Sequence, residues 1–331
     1  MTKIMKWGVT GRALILALCL GFVSQGSSAF EFVAYGDIPY HESDYTFLRK
    51  SRDMLKTLPE PIGFGVFYGD IVIARKPCTS ELYERNAQAV FSVTDRPVFL
   101  TLGDNDWTDC DFEEGVDELK KLEEARKILF HETQLPEKRA ANPAAWRIER
   151  NPDFPELARW QYQNVLFATL HMVGTENGRA SIKGTDLNTA YREVSKRDDA
   201  NLAWLERTFE MAAGSDAVVF VIQADPINNT HYGDAEACSR EILTNCNPFR
   251  MHLDALKSAA MALKKPVLLV HGSTKPFCIA PKYLDADNIT RLNGPGDSVA
   301  DLAIVRVETN GGAPFKVRSL VTGKAPVECL D

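Results

Sequence analysis

Three short apolar runs, each stopping at the dipeptide Gly-Asp, constrain this chain more than any other feature. Phe32-Val33-Ala34-Tyr35 leads into Gly36-Asp37, Phe64-Gly65-Val66-Phe67-Tyr68 into Gly69-Asp70, and Val98-Phe99-Leu100-Thr101-Leu102 into Gly103-Asp104. Continuous apolar runs of this length suit strands buried on both faces. The glycine after each lets the backbone turn sharply and approach a neighbour closely. The third run continues as Asn105-Asp106-Trp107-Thr108-Asp109-Cys110, with four carboxylates between Asp104 and Asp111. Three strands ending alike imply three acids gathered at one edge of a sheet, where α/β folds build their sites. Oxygen-rich side chains past such a turn suit a hard cation.

The N-terminal residues 1–29 read as a secretory signal peptide. Lys3, Lys6 and Arg12 form its positive region, Ala13 to Val23 its apolar core, and Ser27-Ser28-Ala29 its cleavage site. The apolar stretch is short for a membrane span, so no stable membrane anchor is expected after cleavage. Losing those three basic residues makes a formal charge of −7 three units more negative. An acidic chain of this kind argues against nonspecific nucleic-acid binding. Cys78, Cys110, Cys238, Cys246, Cys278 and Cys329 remain, with no C-x-x-C pair among them. An even set in an exported chain reads as disulfides rather than a zinc site, and places the protein outside the cell or in the periplasm. Of fifteen possible connectivities the favoured one joins Cys78 to Cys110, Cys238 to Cys246 and Cys278 to Cys329. No low-complexity linker divides the chain, so residues 30–331 are expected to form one domain.

Along the chain, helical patterns are expected over Glu42–Leu58, from a Thr79 cap to Val93, over Val116–Phe130, and over Asp199–Ala213, with a further helix ending near Lys265. Residues 136–160 carry Asn142-Pro143, Asn151-Pro152 and Phe154-Pro155, marks of an irregular lobe or lid. Further strands are expected at Val165–Val173, Ala217–Ile222 and Pro266–Val270. Ala303–Glu308 and Phe315–Val321 are expected to close the chain as a hairpin around Asn310-Gly311-Gly312. Alternating strands and helices predict an α/β fold with mixed sheets covered by helices.

Taken in order, Gly36-Asp37, Gly69-Asp70, Gly103-Asp104-Asn105-Asp106 and His271-Gly272 resemble the motif series of the calcineurin-like metallophosphoesterases. The stretch Gly103 to Cys110 also resembles the Gly-Asp-Asn-Glu-Trp-Thr-Asp-Cys segment of a secreted bacterial branch. The resemblance implies a β-sandwich flanked by helices, with two divalent metal ions at the strand ends activating water against a small phosphoester. It matches Asp70 to the metal-bridging carboxylate and Asp37 to a ligand of the first metal. In an ungapped match Asp104 takes the place of the family's Asn ligand and Asn105 that of its catalytic His. A one-residue shift makes Asn105 the ligand and Asp106 the replacement for the His.

The chain also departs from that pattern. Pro39, beside Tyr40, stands where the family's first motif has His; Gln223 ends the strand that should end in His; Ser273 and Lys275 replace the two His of the last motif. Two readings follow. In one, Asp37, Asp70, Asp104, Asn105, Gln223 and Asp225 form an oxygen-dominated metal site, better suited to Mn²⁺, Mg²⁺ or Ca²⁺ than to Zn²⁺ or iron. Asn105, Asp106 and His271 then serve catalysis, and Lys275 contacts substrate phosphate. In the other, the centre has degenerated: Lys275 neutralises Asp37 and Asp70, and the cleft binds a phosphate-bearing or protein partner. A bland alternative stands beside each residue. The three Asp can order turns after Gly, His171 can be a structural histidine, and Trp107 can pack beneath its loop instead of stacking on a ligand.

Overall fold

The computed structural model describes residues 1–2, 29–110, 115–297, 299–310 and 313–330. The expected signal peptide, apart from its ends, and the Gly311-Gly312 turn lie outside the described residues. Alternation along the first strand shows how the layers arise. In β1 (Phe30–Tyr35), Phe32 and Ala34 point into one apolar cluster while Val33 and Tyr35 point into another. A strand buried on both faces needs cover on both, and the chain supplies it with two sheets and two helical layers.

The first sheet is five-stranded, in the order β12-β11-β1-β2-β3. β2 (Gly65–Phe67) and β3 (Val98–Leu100) run parallel to β1, with Tyr35 opposite Phe67 and Phe67 opposite Leu100. That register brings the three Gly-Asp turns to one edge. The hairpin β11 (Ala303–Val307) and β12 (Phe315–Ser319) adds antiparallel strands on the far side. Helices α1 (Glu42–Lys56), α2 (Ser80–Phe91) and α3 (Glu118–Leu129) cover its outer face. Thr79 Oγ1 caps α2 by accepting from the Leu82 N–H at 3.2 Å.

The second sheet has eight strands in the order β13-β9-β10-β8-β7-β6-β5-β4, with β9 (Cys278–Pro281) and β13 (Val327–Glu328) at one edge. Its parallel centre is β6 (Val165–Thr169), β7 (Ala217–Val221), β8 (Val267–His271) and β10 (Ile289–Asn293). Between the sheets lies an aromatic layer in which Phe99 stacks on Trp160 with ring centroids 3.5 Å apart and Phe64 meets Phe167 edge-on at 5.0 Å. Helices α7 (Leu187–Met211) and α8 (Arg250–Leu263) cover the outer face. The result is an α/β fold of two mixed sheets flanked by helices.

Segment 136–160 carries two one-turn helices, α4 (Pro136–Arg139) and α5 (Pro143–Trp146), then β4 (Glu149–Arg150), which pairs with β5 (Ala158–Tyr162) at the sheet edge. Its Trp146 lies against Phe64 and stacks on Phe99, closing one end of the aromatic layer. Helix α7 begins twelve residues before its expected start at Asp199. Asp186 caps it, accepting from the Thr189 N–H at 2.9 Å, and its buried stripe includes Arg197, Asn201 and Thr208, polar residues that mask the apolar period. Strand β10, Ile-Thr-Arg-Leu-Asn, escaped the apolar pattern for the same reason. The three disulfides join the favoured pairs, with Cα–Cα distances of 5.5, 4.9 and 5.0 Å. They fit an oxidising compartment. Among the described residues no helix is long and apolar enough to cross a membrane.

Candidate functional site

The first two Gly-Asp turns share one backbone feature that the third lacks. After Gly36 and Gly69, Asp37 and Asp70 adopt left-handed backbones with φ of 52° and 59°. Asp tolerates this region better than most residues, and held strain of this kind clusters at functional sites. Gly69 itself has φ 102°, and a Cβ there would sit 2.6 Å from the Gly103 nitrogen, so the second and third turns touch backbone to backbone. A side chain at Gly103 would run into Asp70 Oδ1, and one at Gly272 into Asp37 Oδ2.

Asp37, Asp70 and Asp104 are thereby buried side by side. Asp37 accepts from the Ser273 N–H at 3.1 and 3.2 Å, and Asp70 Oδ1 from the Asn105 N–H at 3.1 Å. Burial, opposed by the Ser273 N–H and reinforced by the charges of Asp104 and Asp297, pushes the Asp37 carboxyl up to about 7. Burial and the neighbouring charges of Asp104 and Asp37 hold Asp70 well above the usual carboxylate range. Asp104 is raised as well, its burial outweighing hydrogen bonds from Thr175 and Gln223. Acids crowded like this keep protons at neutral pH or need a cation to neutralise them.

Gln223, delivered from the second sheet by β7, supplies part of that neutralisation. Its Nε2 donates to Asp70 Oδ2 and to Asp104 Oδ1, each at 2.9 Å. Its Oε1 accepts from the Gly174 N–H at 2.7 Å. A backbone N–H can only donate, so this bond decides which end of the amide is the oxygen. The residue expected to offer a metal an oxygen offers the acids two N–H groups instead.

Asp106 has a different duty from the expected catalytic one. Its Oδ2 accepts from the N–H groups of Gly103 at 2.8 Å and Asp70 at 3.1 Å, and its Oδ1 from Ile71 at 2.7 Å and Val72 at 3.3 Å. With four backbone donors on two oxygens, it braces the second turn against the third. Asn105 sits at the mouth, half-buried, its Nδ2 donating to Tyr40 Oη at 3.1 Å. Asp37 also reaches a hollow of ≈ 240 Å³ that Tyr40, His41 and Asp44 help to line.

Asp225 and His271 do not join the three acids but meet at Arg291. Arg291 Nη1 lies 3.5 Å from Asp225 Oδ1 and 3.3 Å from His271 Nε2, and all three residues are buried. Burial works against the Asp225 charge, but His271 and hydrogen bonds from Thr274, Asn228 and the Ile227 N–H override it and hold the carboxyl below its usual value. His271 follows Leu269 onto the outer face of the sheet, since side chains two apart share a side. Lys275 does not lie between Asp37 and Asp70. Its ammonium is half exposed, 3.5 Å from Asp297 Oδ2 at the rim.

Thr175 is a site residue that the strand-end pattern does not flag. Its hydroxyl donates to Asp104 Oδ2 at 2.6 Å and lies 3.2 Å from both oxygens of Asp109, whose carboxyl burial and the Asp104 charge push up to about 6. It sits in α6 (Gly174–Gly178), where Thr175, Glu176 and Asn177 all have positive φ. The signal available was Val173-Gly174-Thr175, a fourth strand-end glycine with a polar residue after it.

Two-metal chemistry needs a bridging carboxylate and further ligands whose lone pairs are free. Here Asp70 and Asp104 each give an oxygen to Gln223, and Asp37 faces the Ser273 N–H. The donor set does not fit two ions. Among the described residues no group of three or more His, Cys, Asp or Glu is arranged to hold a metal ion.

No family model matches the chain, and no curated protein does. Among solved structures it is similar to "GAP50 the anchor in the inner membrane complex of Plasmodium", at 13% sequence identity and a TM-score of 0.48, over 90% of this chain and 86% of that one.

Proposed function

We propose that this protein is a catalytically degenerate member of the calcineurin-like metallophosphoesterase fold, whose acid cleft binds a partner and does not hydrolyse an ester. One observation carries the reading. The Gln223 amide occupies the space between Asp70 and Asp104, locked there by the Gly174 N–H. An amide donor is the group that stabilises a carboxylate pair in a site where no cation does so. An acid cluster in that state offers a phosphate group no cation, and the Lys275 ammonium is at the rim beside Asp297. The partner is therefore a protein surface that offers donors or cations, and not a phosphoester.

The second reading, metal-dependent phosphoester hydrolysis, is favoured by the same cluster seen differently. Three buried carboxylates with raised proton affinity form a centre that a hard divalent ion would discharge. Elemental mass spectrometry on protein purified from an oxidising compartment without chelators separates the two. The binding reading expects no stoichiometric Mn, Mg or Ca, before or after incubation with each ion. Two ions per chain, with phosphoesterase activity that Asp70→Asn abolishes, would overturn it in favour of the hydrolase.

A further inference from the structure

On the other side of the Gly103–Cys110 loop lies a pocket of ≈ 530 Å³ between α3, α7 and the Thr185 loop. Trp107 and Arg197 form part of its wall, and both are almost wholly buried, at 3% and 2% exposure. The Arg197 Nη2 donates to the Asn177 carbonyl, and its guanidinium lies over the Trp107 ring, 5.1 Å from the centroid. Among the described residues no carboxylate pairs with Arg197, and neither its Nε nor Trp107 Nε1 has a hydrogen-bond partner. Asp198, its neighbour in sequence, pairs with Arg179 instead.

A buried guanidinium hydrogen-bonded only to the neutral Asn177, with the Asp198 and Glu156 charges acting on it from a distance and a second unused donor beside it, is costly to keep. An anion seated against both would satisfy them with charge-assisted bonds. Leu119, Leu122, Phe154 and Val194 give the wall an apolar part, and Arg126, a second guanidinium in the lining, is already paired with Glu156. The four acids of the lining are already engaged: Asp117 with Lys120 and Thr185, Glu123 with Lys127, Asp186 as the α7 cap, Glu193 with Lys196. They disfavour a dianion such as phosphate but leave room for a single charge.

We propose that this pocket binds a small monocarboxylate with an apolar body, its carboxylate held by Arg197 and Trp107 Nε1. The volume lies within the range of small-molecule sites. The assignment stands independently of the acid cleft, since it uses neither Asp37, Asp70, Asp104 nor any metal.

Calorimetry on the full mature chain, with 3-phenylpropionate and its neutral amide as probes, tests it. The acid is expected to bind at least tenfold more tightly than the amide. Arg197→Met should erase that preference, and Trp107→Phe, which keeps a ring but removes the N–H, should weaken the acid several-fold. Leu119→Trp fills the wall without touching either donor and should block both probes, which keeps the test decisive should Arg197→Met unfold. Equal binding of acid and amide, failure of both to bind the wild-type chain, or wild-type affinity for the acid in well-folded Arg197→Met or Leu119→Trp would each overturn the proposal.

Discussion

Gln223 donates to Asp70 at 2.9 Å across 153 residues of sequence, joining the second sheet to the first at their shared edge. The same amide reaches Asp104, so one neutral side chain holds two acids that would otherwise repel each other. Replacing it removes that bridge and orphans the Gly174 N–H. Gln223→Leu should therefore cost about 2–3 kcal/mol, the usual penalty for stranding buried polar groups. Urea denaturation with Gln223→Glu beside it checks the sign. The Glu variant adds a fourth carboxylate and should be less stable than the Leu variant at about pH 8.

The opposite change is expected at Asp37. Asp37→Asn keeps an oxygen for the Ser273 N–H and turns an amide toward Asp70, removing one charge from the cluster. Its melting temperature at about pH 8 should exceed that of the wild type, by roughly 2–4 °C for each kcal/mol gained. A lower melting temperature would mean that the Asp37 charge is compensated in the folded protein.

Stability should fall as pH rises through the neutral range. An acid whose proton affinity is raised by folding binds more protons in the native than in the unfolded chain between its ordinary value, near 3.8, and its folded value, about 7 for Asp37. Within that window each step up in pH favours the unfolded state. Denaturation midpoints should decline from about pH 4 to about pH 7, and the decline should flatten in Asp37→Asn. A rise over the same interval would contradict proton storage in the cluster.

The Asp106 brace should matter for the fold more than any of the three cleft acids. Asp106→Ala leaves the N–H groups of Asp70, Ile71, Val72 and Gly103 without their acceptor, and a loss of about 3 kcal/mol or more is expected. Amide hydrogen exchange should speed up at those four positions first. Asp106→Asn, which retains one acceptor oxygen, should fall between the two.

Much of this architecture was legible in the residues alone, for physical reasons. Unbroken apolar runs ending in glycine state both that a strand is buried and where it stops, so the alignment of Asp37, Asp70 and Asp104 followed from local pattern. Helices α1, α2 and α3 were readable because each buries a single polar residue, Ser51, Asn86 and Glu118, in an otherwise apolar stripe, and α7 was misplaced because Arg197, Asp198, Asn201 and Thr208 are all buried in its stripe. Cys78–Cys110 was recoverable from the place of both residues behind strand ends and Cys238–Cys246 from the short loop between them, which left Cys278 to Cys329. Spacing, by contrast, carries no information about which atom a side chain turns toward its neighbour. Only the tertiary structure decided that Gln223 presents nitrogen, that Asp106 spends both oxygens on backbone, and that Asp225 and His271 meet at Arg291. Each of those outcomes depends on a donor brought in from a distant element, Gly174, Ile71 or Arg291, and hydrogen-bond direction is settled by the partner that arrives.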